Sequence, residues 1–135
     1  MDNIIEKVKE EMIQISNDKM KVTSYDDWNN HIKLVYLNGH KLAEERNADI
    51  EIVDLATILH DVARVMQYGP IEEHNIYGAE VAEKILKKYN YPEERIELAK
   101  IAGYMHDIGN CVNRVDHAHS GAILAFQILK EMGMD

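Results

Sequence analysis

Residues 50–67 form the segment that most narrows the folds open to this chain, because nearly every side of the stretch is apolar. Such a run is too long for a strand buried in a parallel sheet, so it predicts a helix at the centre of a helical protein. His60 and Asp61 interrupt the pattern, and an ionised carboxylate is costly to bury without a partner. The segment therefore predicts a central helix whose His-Asp pair has specific partners inside the protein.

The rest of the chain has helical periodicity and no segment with a strong strand pattern, so we predict a single all-α bundle of about six helices. The predicted helices cover residues 3–15, 28–46, 50–67, 74–89, 92–108 and 119–132. Ser24, Asp26 or Asp27 would cap the second helix. The predicted loops are residues 16–24, 68–73 and 110–120. Within one domain, 1–135, we expect an N-terminal helix and loop (1–23), a core (24–108), and a loop with a final helix (109–135).

Composition limits the classes of partner. The net charge of −9 argues against a general binder of nucleic-acid polymers, which needs a basic face, but still allows a small phosphorylated molecule. Cys111 is the single cysteine, so the chain has no internal disulfide and no paired-cysteine zinc motif. The charged N-terminal segment lacks the apolar core of a signal peptide, and no apolar run approaches the roughly 20 residues of a membrane helix. We expect a cytoplasmic protein that does not contact a membrane.

A second His-Asp pair and a partial repeat follow the first pair. His106 and Asp107 again lie in an apolar helical pattern. The segments HNIYGAEVAEKILK (74–87) and HAHSGAILAFQILK (117–130) share their leading His, Gly-Ala, second Ala and Ile-Leu-Lys positions. Two amphipathic helices that pack through small residues would explain part of this likeness. The shared upstream His-Asp pairs favour reuse of one structural unit, and residues 109–135 resemble its beginning.

Hairpin geometry predicts that the histidines converge. If the second and third helices turn near residue 48, His31 and His60 differ in height by only about 7 Å. In the next hairpin, which turns near residues 90–92, His74 and His106 are almost level. A plain His-Asp hydrogen bond or a salt bridge from Asp61 to Arg64 is the alternative use of the first pair. Side-by-side packing of the hairpins would merge both groups into one metal site.

These residues resemble the HD-domain superfamily of metal-dependent phosphohydrolases. The resemblance rests on DDWNNHIKLV, on LAEERNADIEIVDLATILHDVAR and on HNIYGAEVAEKILKKYNYPEERIELAKIA, and it covers roughly residues 24–108. It implies that His31, His60 and Asp61 bind a metal. It also implies that His74 and His106 bind a second metal or the substrate phosphate.

The C-terminal end departs from the family pattern, which makes it atypical or truncated. Members place a distal metal-binding Asp about twenty residues after the position of His106, where this chain has Ala125 and Phe126. Asp107 is the favoured substitute, and Asp116 is the other candidate. A second register, with His74, His106-Asp107 and His117, also resembles the front of such a domain. Its distal Asp would lie beyond residue 135.

Imidazole and carboxylate ligands suit Mn²⁺, Fe²⁺, Co²⁺, Ni²⁺, Zn²⁺ or Mg²⁺, and the sequence does not choose among them. The resemblance implies hydrolysis of a nucleotide or another small phosphate ester by a metal-activated water. Asp61, or Asp107, would bridge metals or orient the water, and Arg64 would clamp a phosphate oxygen. His74 and His106 would complete the catalytic set. The alternative is a catalytically weak HD-like module that binds metal or nucleotide and regulates a partner. A homodimer is left open.

Overall fold

The computed structural model describes residues 3–112, in which helices are joined by short connections and no strand is present. This confirms the predicted all-α class. No helix in this part of the chain is long and apolar enough to cross a membrane. The elements in chain order are α1 (Ile4–Thr23), a π-helical turn (Trp28–Ile32) that continues into α2 (Lys33–Glu45), α3 (Ile50–Leu59), α4 (Val62–Met66), a 3-10 turn (Ile71–Glu73), α5 (His74–Lys88) and α6 (Glu93–Val112).

The predicted central helix is the centre of the core. Helix α3 packs against α1, α2 and α6, and every residue from Ile52 to Leu59 is buried. Asp49 starts this helix as its N-cap, since its side chain accepts the Ile52 N–H at 3.2 Å. The fully buried side chains around α3 come from all the neighbouring elements: Val8, Met12, Ile32, Val35, Val62, Val65, Leu86 and Ile96.

The two helical hairpins that the sequence predicts are present, and they pack side by side. Helices α2 and α3 form the first hairpin, and α5 and α6 form the second. Contacts of α3 with α6 and of α4 with α5 join them. The end of the first hairpin, which carries the His60-Asp61 pair, therefore lies beside the start of α5, which carries His74.

Helix α1 is longer than predicted. It continues to Thr23 through residues 16–23, which we assigned to a loop. The polar residues of this stretch either face solvent or bond along the helix, as in the hydrogen bond of 3.0 Å from Gln14 Nε2 to Asp18 Oδ1. Ser16 and Lys19 are the exceptions, because Ser16 is fully buried in the row of Val8 and Met12 and Lys19 pairs with Asp27. The predicted division into a helix and a loop within residues 1–23 was therefore wrong.

The predicted helices 28–46 and 50–67 are not regular, and both irregularities lie at histidines. His31 lies in the π-helical turn, in which the Lys33 N–H donates to the Trp28 carbonyl. The predicted helix 50–67 is interrupted at His60 and Asp61, where Asp61 leaves the α conformation with φ −110° and ψ 18°. Hydrophobic periodicity does not distinguish these distortions from a continuous helix, since the buried face of the helix is preserved before and after each distortion.

Helix α6 also exceeds its predicted end near Gly109 and runs to Val112. It therefore includes the start of the stretch that we assigned to a loop at 110–120. The predicted final helix, 119–132, lies outside the described residues.

Gly69 is required by the turn that leads into α5. Its φ of +80° is a conformation that side chains rarely adopt, and a Cβ built there would lie 2.5 Å from Cδ2 of Tyr77. We expect Gly69→Ala to lower the free energy of unfolding by about 2 kcal/mol, because the backbone would be strained and the ring would have to move. Urea denaturation measures this loss.

Gly78→Ala is the matched control for this prediction. Its added Cβ would lie 3.7 Å from the His60 carbonyl oxygen and 3.9 Å from Cβ of Ala63, which are ordinary contacts. Because Ala is favoured over Gly in a helix by about 1 kcal/mol, this variant should be as stable as the wild type or more so. Equal losses of stability in both variants would contradict the role assigned to Gly69.

Candidate metal centre

Asp26 and Ser16 together shape the start of the helix that carries His31. Asp26 caps it, since Oδ1 accepts the Asn29 N–H at 3.0 Å. The Trp28 N–H instead donates to Ser16 Oγ of α1 at 3.1 Å in the protein interior. The π-helical turn follows directly, and such turns are frequent at functional sites. His31 is thereby held half-buried at the surface of α3.

Because the helix is interrupted at His60 and Asp61, these adjacent residues can direct their side chains to the same point. In an unbroken helix, neighbouring side chains leave the axis about 100° apart. Here Asp61 has a non-helical conformation, and its Oδ2 lies 3.1 Å from His60 Nε2. The chain resumes as α4 at Val62, and the Val65 N–H donates to the Asp61 carbonyl at 3.0 Å. The break therefore aims both side chains at the same place.

A triangle of ligand atoms results, which we call the metal triangle: Nε2 of His31, Nε2 of His60 and Oδ2 of Asp61. The two nitrogen atoms are 3.2 Å apart, and each is 3.1 Å from the carboxylate oxygen. Within the described residues this is the group of histidine and acidic side chains that is placed to hold a metal ion. The predicted convergence of His31 with the His60-Asp61 pair is therefore present in the fold.

The hydrogen bonding of His60 fits a metal ligand. Its Nδ1 lies 2.6 Å from the carbonyl oxygen of Thr57, which can only accept. Nδ1 must therefore carry the hydrogen, and in the neutral ring Nε2 then presents its electron pair to Asp61 Oδ2. Two electron-rich atoms at this distance need a cation between them, either a proton or a metal ion. Fixing a ligand histidine through a backbone carbonyl is typical of metal sites.

The size of the metal triangle also fits a divalent ion. For an ion about 2.1 Å from each ligand atom, the ligand–ion–ligand angles would be roughly 95–100°. These angles fall between octahedral and tetrahedral values, so the triangle does not select one metal among those expected from the sequence.

The charge of Asp61 is stabilised by its neighbours. Burial opposes ionisation, but the imidazoles of His60 and His31 outweigh it and hold the pKa of Asp61 well below its usual range. Asp54 lies two turns earlier on α3 and is equally buried, yet burial raises its pKa despite a hydrogen bond to His40. The carboxylate in the metal triangle is therefore the better anionic ligand of the two.

Arg64 and His74 lie at the rim of the metal triangle. Arg64 Nη1 is 3.7 Å from Asp61 Oδ2, and half of its side chain is exposed. His74 approaches from the second hairpin, with Nε2 at 3.6 Å from the other carboxylate oxygen, Oδ1. His60 and Asp61 close the inner side of the site, whereas His31, His74 and Arg64 remain partly exposed. A ligand would enter from this open side.

The remaining predicted site residues are not placed by the structure. His106 and Asp107 lie on α6, but their side chains are outside the described part of the structure. Asp116 and His117 lie outside the described residues altogether. The predictions that His106 contributes to catalysis and that Asp107 or Asp116 supplies a distal metal ligand therefore stay predictions.

Sequence reasoning missed a partly buried contact between His40 and Asp54. His40 Nδ1 on α2 lies 2.9 and 3.0 Å from the two oxygen atoms of Asp54 on α3. On its other side, His40 Nε2 is 3.6 Å from Glu44 Oε1. The hairpin arithmetic that paired His31 with His60 would have found it, because His40 and Asp54 lie at similar distances from the turn near residue 48. The pair joins α2 to α3 and lies outside the metal triangle.

Comparisons with known proteins identify a family whose model covers the part of the chain that contains this site. The family model described as "HD domain" matches residues 29–97 and, in a second overlapping alignment, residues 71–134. The first alignment contains the metal triangle, and the second contains His74 and the His106-Asp107 pair. A curated protein of Clostridium beijerinckii, described as an uncharacterized protein, is 37% identical over 59 residues. That stretch is 44% of this chain and 38% of the relative's length. No solved structure matches the chain.

Proposed function

The chain belongs to the HD-domain family, and we propose that it is a metal-dependent phosphohydrolase that cleaves a nucleotide or another small phosphate ester. The observation that carries the proposal is the metal triangle, in which two imidazoles and one carboxylate from separate elements come within 3.2 Å of one another. Members of this family bind divalent metals, and the ligand chemistry of the triangle suits one.

In this proposal His31, His60 and Asp61 hold the ion. Bound there, a divalent ion would polarise a phosphoryl oxygen and make an attacking water more acidic. Asp61 has a second role, because its Oδ1 faces His74 and stays free of the contacts that Oδ2 makes within the triangle. It can therefore accept a hydrogen bond from the attacking water and orient it. Asp107 or Asp116 is proposed as the distal ligand.

Arg64 and His74 would bind the phosphate group. The Arg64 guanidinium is 3.7 Å from Asp61 Oδ2, too far for a strong hydrogen bond, so its donors can turn to a phosphate oxygen. His74 lies across the carboxylate from the triangle and can donate to another oxygen or protonate the leaving group. His106 is proposed as a further member of this set. The guanidinium of Arg64 would locally offset the net charge of −9 for an anionic substrate.

Hydrolysis of p-nitrophenyl phosphate and of a panel of nucleoside monophosphates tests the proposal. The protein is first stripped with a chelator and then assayed with Mn²⁺, Co²⁺, Ni²⁺, Zn²⁺ or Mg²⁺ added singly. We expect activity that at least one ion restores and that the His60→Ala variant lacks. Absence of turnover with every ion and every substrate, in a folded protein that has taken up metal, would rule out a phosphohydrolase with this substrate range.

A regulatory module that binds metal or nucleotide is the second candidate. This candidate is favoured because the metal triangle has three ligand residues, and the described side chains offer no fourth ligand residue. In that case the protein would take up a divalent ion and bind nucleotide, as measured by calorimetry, without hydrolysing it. Size-exclusion chromatography with light scattering, with and without metal, would then establish whether such a module acts as a homodimer.

A further inference from the structure

Ser16 is the anomalous residue of helix α1. It is fully buried and lies in the same row as Val8 and Met12, at spacings of four residues along the helix. If this row served only to pack α1 on the core, an apolar residue would be more stable here, because a buried hydroxyl needs a hydrogen-bond partner. A polar residue in this position indicates a specific partner on a neighbouring element.

That partner is the first turn of the helix that carries His31. Ser16 Oγ accepts the N–H of Trp28 at 3.1 Å, which would otherwise be one of the unsatisfied donors at a helix start. Asp26 satisfies the next donor, the N–H of Asn29. The start of this helix is thus capped partly by its own sequence and partly by a residue twelve positions earlier on another helix.

A second contact ties the same turn to α1. Lys19 Nζ lies 3.1 Å from Asp27 Oδ2, one helical turn beyond Ser16, and both side chains are largely buried. Asp27 Oδ2 makes no directed hydrogen bond, so the link is an ion pair between α1 and the turn. Ser16 and Lys19 therefore hold two consecutive residues, Asp27 and Trp28, at the start of the π-helical turn.

His31 follows Trp28 by three residues, within that π-helical turn. Its Nε2 must stay within a few tenths of an ångström of its place for the metal triangle to fit an ion, since metal–ligand distances tolerate about 0.2 Å. We infer that Ser16 and Lys19 of α1 are positioning residues of the metal site, which set the place of His31 through Trp28 and Asp27. This inference rests on the proposed metal site.

The first alignment with the family model begins at residue 29, so Ser16 and Lys19 lie outside the matched region. The proposed role therefore belongs to a helix of this chain that the family model does not include. Residues outside the ligand set that orient a ligand typically change metal affinity by roughly 10–100-fold when they are replaced.

Titration with Co²⁺ tests the inference, because its visible absorption reports both affinity and ligand geometry. We expect Ser16→Ala to weaken Co²⁺ binding by roughly 10-fold or more and to change the spectrum, since the Trp28 N–H loses its acceptor. Lys19→Met keeps the length of the side chain and should weaken binding by a smaller factor. Val8→Ala is the control on the same buried row, and it should lower the thermal midpoint without altering the affinity or the spectrum.

The outcomes separate this inference from the proposed function. If the wild-type protein and Val8→Ala take up no Co²⁺, the metal site itself is wrong. If the wild type binds Co²⁺ and both Ser16→Ala and Lys19→Met bind it with the wild-type affinity and spectrum, the positioning role is overturned. Should Ser16→Ala fail to fold, Lys19→Met alone decides, because its side chain lies at the edge of the core.

Discussion

His60→Ala and Asp61→Ala are each expected to strip the protein of its metal. Both residues contribute an atom to the metal triangle, and their side chains are almost completely buried. Loss of an outer partner already costs roughly 10–100-fold in metal affinity, so loss of a ligand should cost about 100-fold or more. Elemental analysis after dialysis, with the metal-induced rise in thermal midpoint as a second readout, measures this effect.

The chain provides a matched control for each replacement. Asp54 lies on α3, seven residues before Asp61, is as buried as Asp61 and is also paired with a histidine, His40. Asp54→Ala and His40→Ala therefore remove a partly buried His-Asp contact without touching the triangle, and they should retain metal. Stoichiometric metal in His60→Ala and Asp61→Ala, or equal loss in the control variants, would mean that the ligands are misassigned.

Arg64→Ala is expected to lower kcat/KM for a phosphate ester while the metal stays bound. The guanidinium stands at the open rim, and a hydrogen bond to a charged group contributes about 1.5–3 kcal/mol. Its loss should therefore lower kcat/KM by roughly 10–100-fold. Steady-state kinetics with the best substrate and ion, together with metal analysis of the same preparation, measures the effect.

Two further variants sharpen this test. Arg64→Lys keeps the positive charge but not the paired donors of guanidinium, so it should recover only part of the loss. Lys84→Ala removes an exposed cation from α5 in a groove that does not include the metal triangle, and its kinetics should match the wild type. If Arg64→Ala loses metal as well as activity, Arg64 acts by supporting Asp61 instead of by binding phosphate.

Much of the fold could be predicted from the local sequence. The apolar segment 50–67 predicted a central helix, and the described structure has α3 and α4 there, with every residue from Ile52 to Ala63 buried. The pairing into hairpins followed from short connections between long helices. The predicted end of α1 was wrong. Polar residues there face solvent along one side of a helix, and composition alone does not distinguish such a face from a loop.

The sequence also indicated which residues meet, but not how they do so. Helix rise and hairpin length predicted that His31 and His60 differ in height by only about 7 Å, and the structure places their Nε2 atoms 3.2 Å apart. His31 lies in the π-helical turn at Trp28–Ile32, and Asp61 lies at the interruption between α3 and α4. The π-helical turn is tied to α1 by the hydrogen bond from the Trp28 N–H to Ser16.

By itself, the sequence determined the helical class, the central position of residues 50–67 and the set of imidazoles and carboxylates available for chemistry. These properties follow from periodicity and residue type, which act over a few turns of one helix. Only the tertiary structure decided how these groups meet, because the direction of each side chain depends on the π-helical turn that carries His31 and on the interruption at Asp61. In the fold, Asp54 contacts the single imidazole of His40, whereas His31 and His60 both contact Asp61.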